Sequence, residues 1–250
     1  MNKNSLLTIG YSTLANRAKN IKFLDSVENL VVIQNPESIS ISDLNPEVKV
    51  LELSNRGVTK SRNKVIENTT SKYLLFGDDD VTFNEPGISN AVSYLESHPN
   101  IALLLLQAID ENGKLRKVYP KSGHPLKLTN SAKAATYEIM IRSEAIKSAG
   151  IKFDENFGAG AENYLGDEYI FIADALRAGL KGEFLPIVVA VHPSESSGNL
   201  RNTKRDILAR SKIFTRVFGI WALPMRFAFL IKPPVKKFGF VNSIRFVIGK

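Results

Sequence analysis

The stretch Tyr73-Leu-Leu-Phe-Gly-Asp-Asp-Asp-Val81 runs four apolar residues into a glycine and then sets three aspartates side by side. A short, unbroken apolar run of this kind reads as a strand buried on both faces, the pattern of a parallel sheet covered by helices. Three adjacent carboxylates repel, and each raises the pKa of its neighbours unless a positive charge lies between them. In open α/β sheets, ligands bind outside the carboxyl ends of the strands, so a buried strand ending in Asp78-Asp79-Asp80 points to a binding site there.

The flanking sequence alternates strand and helix signals. Leu6–Gly10 and Val31–Gln34 read as strands, and Leu14–Ser26 between them carries apolar residues at helical spacing. Val48–Leu53 is a third strand, and a glycine turn and a helix over Lys60–Asn68 lead back to Tyr73–Phe76. This alternation predicts a parallel α/β sheet. Beyond the aspartates, Asn84-Glu85-Pro86 predicts a helix start, with Ile88, Val92 and Leu95 on one face. Ile101–Ile109 and Leu115–Tyr119 flank Asp110-Glu-Asn-Gly113 and predict a hairpin, which brings antiparallel strands into the sheet. Arg142–Ala149 and Asp167–Ala178 read as helices closed by Gly150 and Gly179, and Phe184–Val191 as a strand ending at His192.

Composition limits the chemistry. With 250 residues and 44% apolar content the chain can bury a substantial core. It has no cysteine, which excludes disulfides, thiolate metal sites and thiol nucleophiles, so any metal is held by oxygen or imidazole and a reducing compartment is expected. The N-terminal stretch lacks a leader cleavage pattern, which predicts a cytoplasmic start. The longest apolar run, Ile101–Ile109, falls short of the roughly 20 residues a spanning helix needs, so no transmembrane helix is expected. The net charge of +8 is concentrated at one end: residues 201–250 carry 12 Lys or Arg against Asp206 alone, and residues 1–200 carry −3. The turn formers of Ser194–Asn199 fit a boundary between a domain over 1–198 and a basic segment over 199–250.

Four groups of residues could carry chemistry. Asp78 and Asp80, at i and i+2, can turn the same way from an extended segment and hold one hard divalent cation; the plainer alternative is a solvated acidic loop. Ser54-Asn55-Arg56-Gly57 and Lys60-Ser61-Arg62-Asn63-Lys64 put cations at a helix start, suited to a diphosphate or forming an ordinary cationic face. The glycine-rich loop Phe157–Gly166 delivers Asp167 and Glu168 to the first turn of a helix, where acids either complement the dipole or serve as a general base. His192, at the end of a strand, is a surface or core residue or a third metal ligand.

Together these residues resemble the family 2 glycosyltransferases of GT-A fold over roughly residues 5–195. The motifs that carry the likeness are Asn55-x-Gly57 with Ser61-Arg62-Asn63, then Asp78-x-Asp80, then Gly166-Asp167-Glu168. The loop Phe157–Phe171 and the following Ala178–Gly198 look more narrowly like bacterial transferases that build capsular, exopolysaccharide or lipopolysaccharide repeat units.

The resemblance implies a Rossmann-like mixed sheet flanked by helices with a helical C-terminal extension. It also implies inverting transfer of a sugar from a nucleotide-diphosphate donor, UDP favoured, to a saccharide acceptor. By the same resemblance Asp78, Asp80 and His192 would hold Mn²⁺ or Mg²⁺. Thr8, Tyr11, Gln34, Arg56, Arg62, Asn63, Asp78 and Asp79 would line the nucleotide sugar. Asp79 would point away from the metal and be the most replaceable of the three aspartates. Glu168, with Asp167 as the competing choice, would be the base. Many family members end the second strand with an acidic pair, where this chain has Gln34-Asn35. The alternatives are a sugar nucleotidyltransferase and a non-catalytic nucleotide-sugar or polysaccharide-binding protein on the same fold.

In the basic segment, residues 203–231 interleave Lys and Arg with Ile, Leu, Phe and Trp221, a pattern of membrane-surface helices. A helix packed on the domain is the alternative. The expectation is a peripheral protein on the cytoplasmic membrane face with a lipid-linked acceptor and, for want of a recognised motif, no nucleic-acid partner.

Overall fold

The structure, a computed structural model, describes residues 4–41, 44–45, 48–194, 203–231 and 238–249. Its strands are β1 (Asn4–Leu14), β2 (Val27–Gln34), β3 (Lys49–Leu53), β4 (Tyr73–Gly77), β5 (Thr82–Phe83), β6 (Ile101–Ile109), β7 (His124–Pro125), β8 (Ile139–Arg142) and β9 (Lys181–Val191). Its α-helices are α1 (Val58–Asn68), α2 (Glu85–Ser97), α3 (Ser143–Ser148), α4 (Asp167–Arg177), α5 (Lys204–Phe218), α6 (Ala222–Ile231) and α7 (Gly239–Ile248). The strands form one mixed sheet in the order β3-β2-β1-β4-β8-β6-β9-β5, with β7 beside β9. The first four in that order are mutually parallel, while β8 runs antiparallel to both β4 and β6.

The quoted stretch explains the layering. Side chains alternate across a strand, so Tyr73 and Leu75 join one core layer and Leu74 and Phe76 the other. The first layer is covered by Ile88, Val92 and Leu95 of α2, and the second by Val65 and Ile66 of α1 and by Phe171 and Ile172 of α4. Burial on both faces is why β4 is apolar without alternation. A third cluster joins Phe157, Tyr169, Ile170 and Ala173 to Ile213 and Val217, so α5 lies directly on α4.

Two expectations are corrected, and two features go beyond the sequence reading. Leu14–Ser26 is not a helix: β1 runs on to Leu14, and only a 3₁₀ turn over Ala15–Asn20 fits before the chain enters β2. The hairpin after β6 turns as expected through Asp110 and Lys114, but residues 115–119 make only an isolated bridge from Leu115 to Ile109. The reason is that β8 and β9 already occupy both edges of β6. The central strand β8 went unseen. Lys204–Ile231 is long and apolar enough by length and composition to cross a membrane, which a search for uninterrupted apolar runs passes over. The expected boundary within 194–199 falls almost wholly outside the described residues.

Candidate functional site

The carboxyl ends of β1 and β4 and the start of α4 converge on one cluster of charges. Arg62, in the first half of α1 and buried, sits at its centre. Its Nη1 donates to Asp167 Oδ2 at 2.5 Å, its Nη2 to Asp78 Oδ1 at 3.3 Å, and Glu168 Oε1 lies 3.7 Å from Nη1. The Phe153 ring stands 5.7 Å from the guanidinium carbon, and Nε is buried without a hydrogen-bond partner. Burial opposes the guanidinium charge, yet the three carboxylates together hold its pKa above the usual arginine value.

Asp167 and Glu168 are adjacent on α4 but not equivalent. The Asp167 side chain is 4% exposed and that of Glu168 23%. Gly158, at φ +97°, lets the glycine-rich loop close over Asp167: a Cβ there would stand 2.9 Å from Asp167 Cγ and 3.0 Å from the Thr59 methyl. Burial, and then the charge of Glu168 beside it, push the Asp167 carboxyl up to about 7 against the opposing pull of Arg62. Glu168 instead reaches the open side, where Thr136 Oγ1 donates to its Oε1 at 2.8 Å. One acid is sealed and fixed by arginine, while the other is accessible and held by a hydroxyl.

The three aspartates divide in an unforeseen way. Asp78 faces Arg62, and burial raises its pKa in spite of that arginine. Asp79, expected to be the most replaceable, is the most buried of the three. It accepts a hydrogen bond from Thr13 Oγ1 at 2.5 Å and is ion-paired with Arg17. Asp80 is 41% exposed and lies 3.3 Å from Arg17 Nη2 and 3.5 Å from His192 Nε2. Arginines 17 and 62 thus supply positive charge among the aspartates. Even so, five carboxylates against two guanidiniums leave the cluster at a formal −3.

That residual charge bears on the expected cation. Among the described residues no three His, Asp or Glu side chains gather as a metal cluster, so the set Asp78, Asp80 and His192 is not assembled: Asp78 turns to Arg62 and Asp80 to His192. The pair Asp80 and His192 does fit a divalent ion. His192 Nδ1 lies 2.8 Å from the Pro193 carbonyl, which can only accept, so in the neutral imidazole Nε2 carries the lone pair toward the Asp80 carboxylate. Two electron-rich groups facing each other suit one shared cation, and such ions commonly take one or two protein ligands and complete their shell with phosphate oxygens. Tyr137 stacks on the imidazole with ring centroids 5.0 Å apart and fixes its plane.

Other expected residues lie elsewhere. Thr8 pairs with Leu74, four residues before Asp78, which is about 13 Å along the strand, and its hydroxyl bonds Ser71. Tyr11 is a core residue whose ring packs edge-on against Phe23 and Phe83. Both were expected to line the nucleotide sugar, but β1 runs on to Leu14 and keeps them within the sheet. Gln34 turns both its amide oxygen and its amide nitrogen to the start of α1, accepting from Gly57 N at 2.7 Å and donating to Ser61 Oγ at 3.3 Å. Asn63 clamps the backbone of Phe153 from both sides, and exposed Arg56 pairs with Glu37. Thr13, Arg17, Thr136 and Tyr137 were missed. Arg17 lay in the segment read as a helix, and Thr136 meets Glu168 only through the tertiary fold.

The glycosyl transferase family 2 model matches residues 31–154, which include Asp78–Asp80 and stop short of Asp167. Among solved structures, that of S. aureus TarS 1-349 matches with a TM-score of 0.56 and 16% identity, covering 85% of this chain and 65% of that one. The same fragment in complex with UDP-GlcNAc matches at a TM-score of 0.59 and 16% identity, over 85% and 66% of the two chains. The chain spans only 40% of the longer TarS structure. No curated protein matches the sequence.

Proposed function

Since the chain belongs to family 2 of the glycosyl transferases and has the GT-A fold, we propose that it transfers a sugar, with inversion, from a nucleotide-diphosphate donor to a saccharide hydroxyl. The observation that carries this reading is the pairing of a sealed Asp167 with an accessible Glu168 around Arg62, at the same edge as the aspartates. Glu168 takes the proton of the attacking hydroxyl, whose oxygen bonds to the anomeric carbon as the bond to the diphosphate breaks. Thr136 orients that carboxylate, and Arg62 sets the spacing between the base and Asp78. Asp80 and His192 are the residues that would hold Mn²⁺ or Mg²⁺, with Asp78 next to them. When bound, the cation supplies charge stabilisation for the departing diphosphate.

A UDP-sugar is the favoured donor, supported by the likeness to TarS in complex with UDP-GlcNAc. In keeping with the basic C-terminal segment, the acceptor is taken to be lipid-linked, with the enzyme peripheral on the cytoplasmic membrane face and working in bacterial surface-polysaccharide synthesis. Residues 1–198 form the transferase and 199–250 the membrane-contact segment. The test is a thermal-shift panel of nucleotide sugars with and without Mn²⁺, followed by transfer assays with the responding donor. Metal-dependent stabilisation by one nucleotide class, with transfer lost in Glu168→Gln, supports the reading. No response to any donor would overturn it in favour of a binding protein, and release of pyrophosphate on incubation with a nucleoside triphosphate and a sugar 1-phosphate would indicate a nucleotidyltransferase.

A further inference from the structure

Helices α6 and α7 each have one face turned to α5 and one turned away from it. On the inner side, Arg226 Nη2 donates to Ser211 O at 2.6 Å, Ser211 Oγ donates to Phe246 O at 2.9 Å, and Phe214 packs against Phe229 and Phe246. The outer side is apolar and exposed. Leu223, Phe227 and Ile231 recur every four residues on α6, and Phe240, Val241, Ile244 and Ile248 follow the same spacing on α7. Ile220 and Trp221, in the 3₁₀ turn between α5 and α6, are 91% and 67% exposed. Exposed apolar patches of this extent mark interaction surfaces.

Charge identifies the partner. Besides the inward-facing Arg226, the sequence from Gly219 to Ile248 holds Lys232, Lys236, Lys237 and Arg245 and no acid. Two copies facing each other would bring like charges together, whereas anionic lipid headgroups complement them at about 1 kcal/mol per basic residue. The same segment resists crossing the bilayer. Arg216 is ion-paired with Asp154 and Asp174 of the transferase domain at 2.7 Å each, and Arg226 is buried against backbone carbonyls. A spanning Lys204–Ile231 helix would have to pull both arginines out of these sites and straighten the break at Gly219, which has φ +54°.

We propose that α6 and α7 form a monotopic lipid-docking face, inserted to the depth of Trp221, Phe227 and Ile244, while α5 stays anchored to the transferase domain. This deepens the membrane reading above, because it names the inserting residues and the depth, and it does not depend on the transfer chemistry. Trp221 is the only tryptophan, so its fluorescence reports this face alone.

The test uses the full chain with vesicles of phosphatidylcholine, with or without phosphatidylglycerol, and with lipids brominated near the headgroup or near the chain end. Expected are co-sedimentation with anionic vesicles, a blue shift of Trp221 emission and stronger quenching by shallow bromine. The pair Phe227→Glu and Ile244→Glu, exposed and away from the active site, should weaken partitioning by about tenfold or more with the thermal unfolding midpoint retained. Co-sedimentation without a blue shift would leave membrane contact standing and overturn the inserting face. The absence of co-sedimentation would overturn both. Quenching strongest from the chain end would indicate a spanning helix, and a concentration-dependent blue shift without lipid would assign the face to a second copy; each overturns the proposal.

Discussion

Asp167 and Glu168 are consecutive in the chain, and a single turn of helix gives them different work. Replacing Glu168 by Gln keeps the contact to Thr136 possible while removing the proposed base, so turnover should fall by about 10²- to 10⁴-fold with the thermal midpoint little changed. Asp167 should reveal itself in stability instead. Its carboxyl is raised from 3.8 to about 7, so between those values the folded state binds more protons than the unfolded one. Its contribution is therefore complete below about pH 4 and is lost as pH rises through 7. In Asp167→Asn the decline of the unfolding midpoint between pH 5 and 8, followed by calorimetry, should be shallower than in the parent. Asp79→Ala should cost about 1–3 kcal/mol, read from denaturant curves, because it removes the buried carboxylate that Thr13 and Arg17 share. The motif spacings made these acids legible in the sequence. Their division of labour was not, since it depends on which of them meets Thr13, Thr136 or the two arginines across the fold.

At the scale of elements, the glycine-rich loop and α5 act on each other. Gly166, just before Asp167, has φ +96°, and a Cβ there would stand 2.2 Å from the Ile213 side chain on α5. Gly166→Ala should therefore destabilise by about 1–3 kcal/mol from backbone strain and overpacking. Adding Ile213→Ala should cost less than the sum of the two single changes, because the clash goes while the strain stays, and a double-mutant cycle in urea checks this. Most elements were readable from period and caps: α4 announces itself by Gly166 and two acids, and β4 by its apolar run. Strand β8 was not. Ile139–Arg142 is four residues long and runs straight into α3, and what makes it central is pairing with strands more than thirty residues away.

For the molecule as a whole, the charge asymmetry turns out to be partly internal. Arg210 pairs with Asp206 within α5, while Lys212 pairs with Glu162 and Arg216 with Asp154 and Asp174, so two cations of the basic segment are spent on holding it in place. Removing residues 199–250 would uncover Phe157, Tyr169, Ile170 and Ala173 beneath α5. Such a truncated chain should be recovered in aggregates, as read by size-exclusion chromatography, and should not behave as a free-standing domain.

The position of β8 also matters to the growing polypeptide. The parallel strands β3, β2, β1 and β4 are complete once residue 77 has been made, but β4 gains its other neighbour only when Ile139 arrives. At 5–20 residues per second the intervening stretch takes about 3–12 s to synthesise. For that time the edge of Tyr73–Gly77 is unpaired on the ribosome, a template for pairing with the wrong chain. The segment that leads into Asp78–Asp80 is in this way also the one most in need of a chaperone during translation.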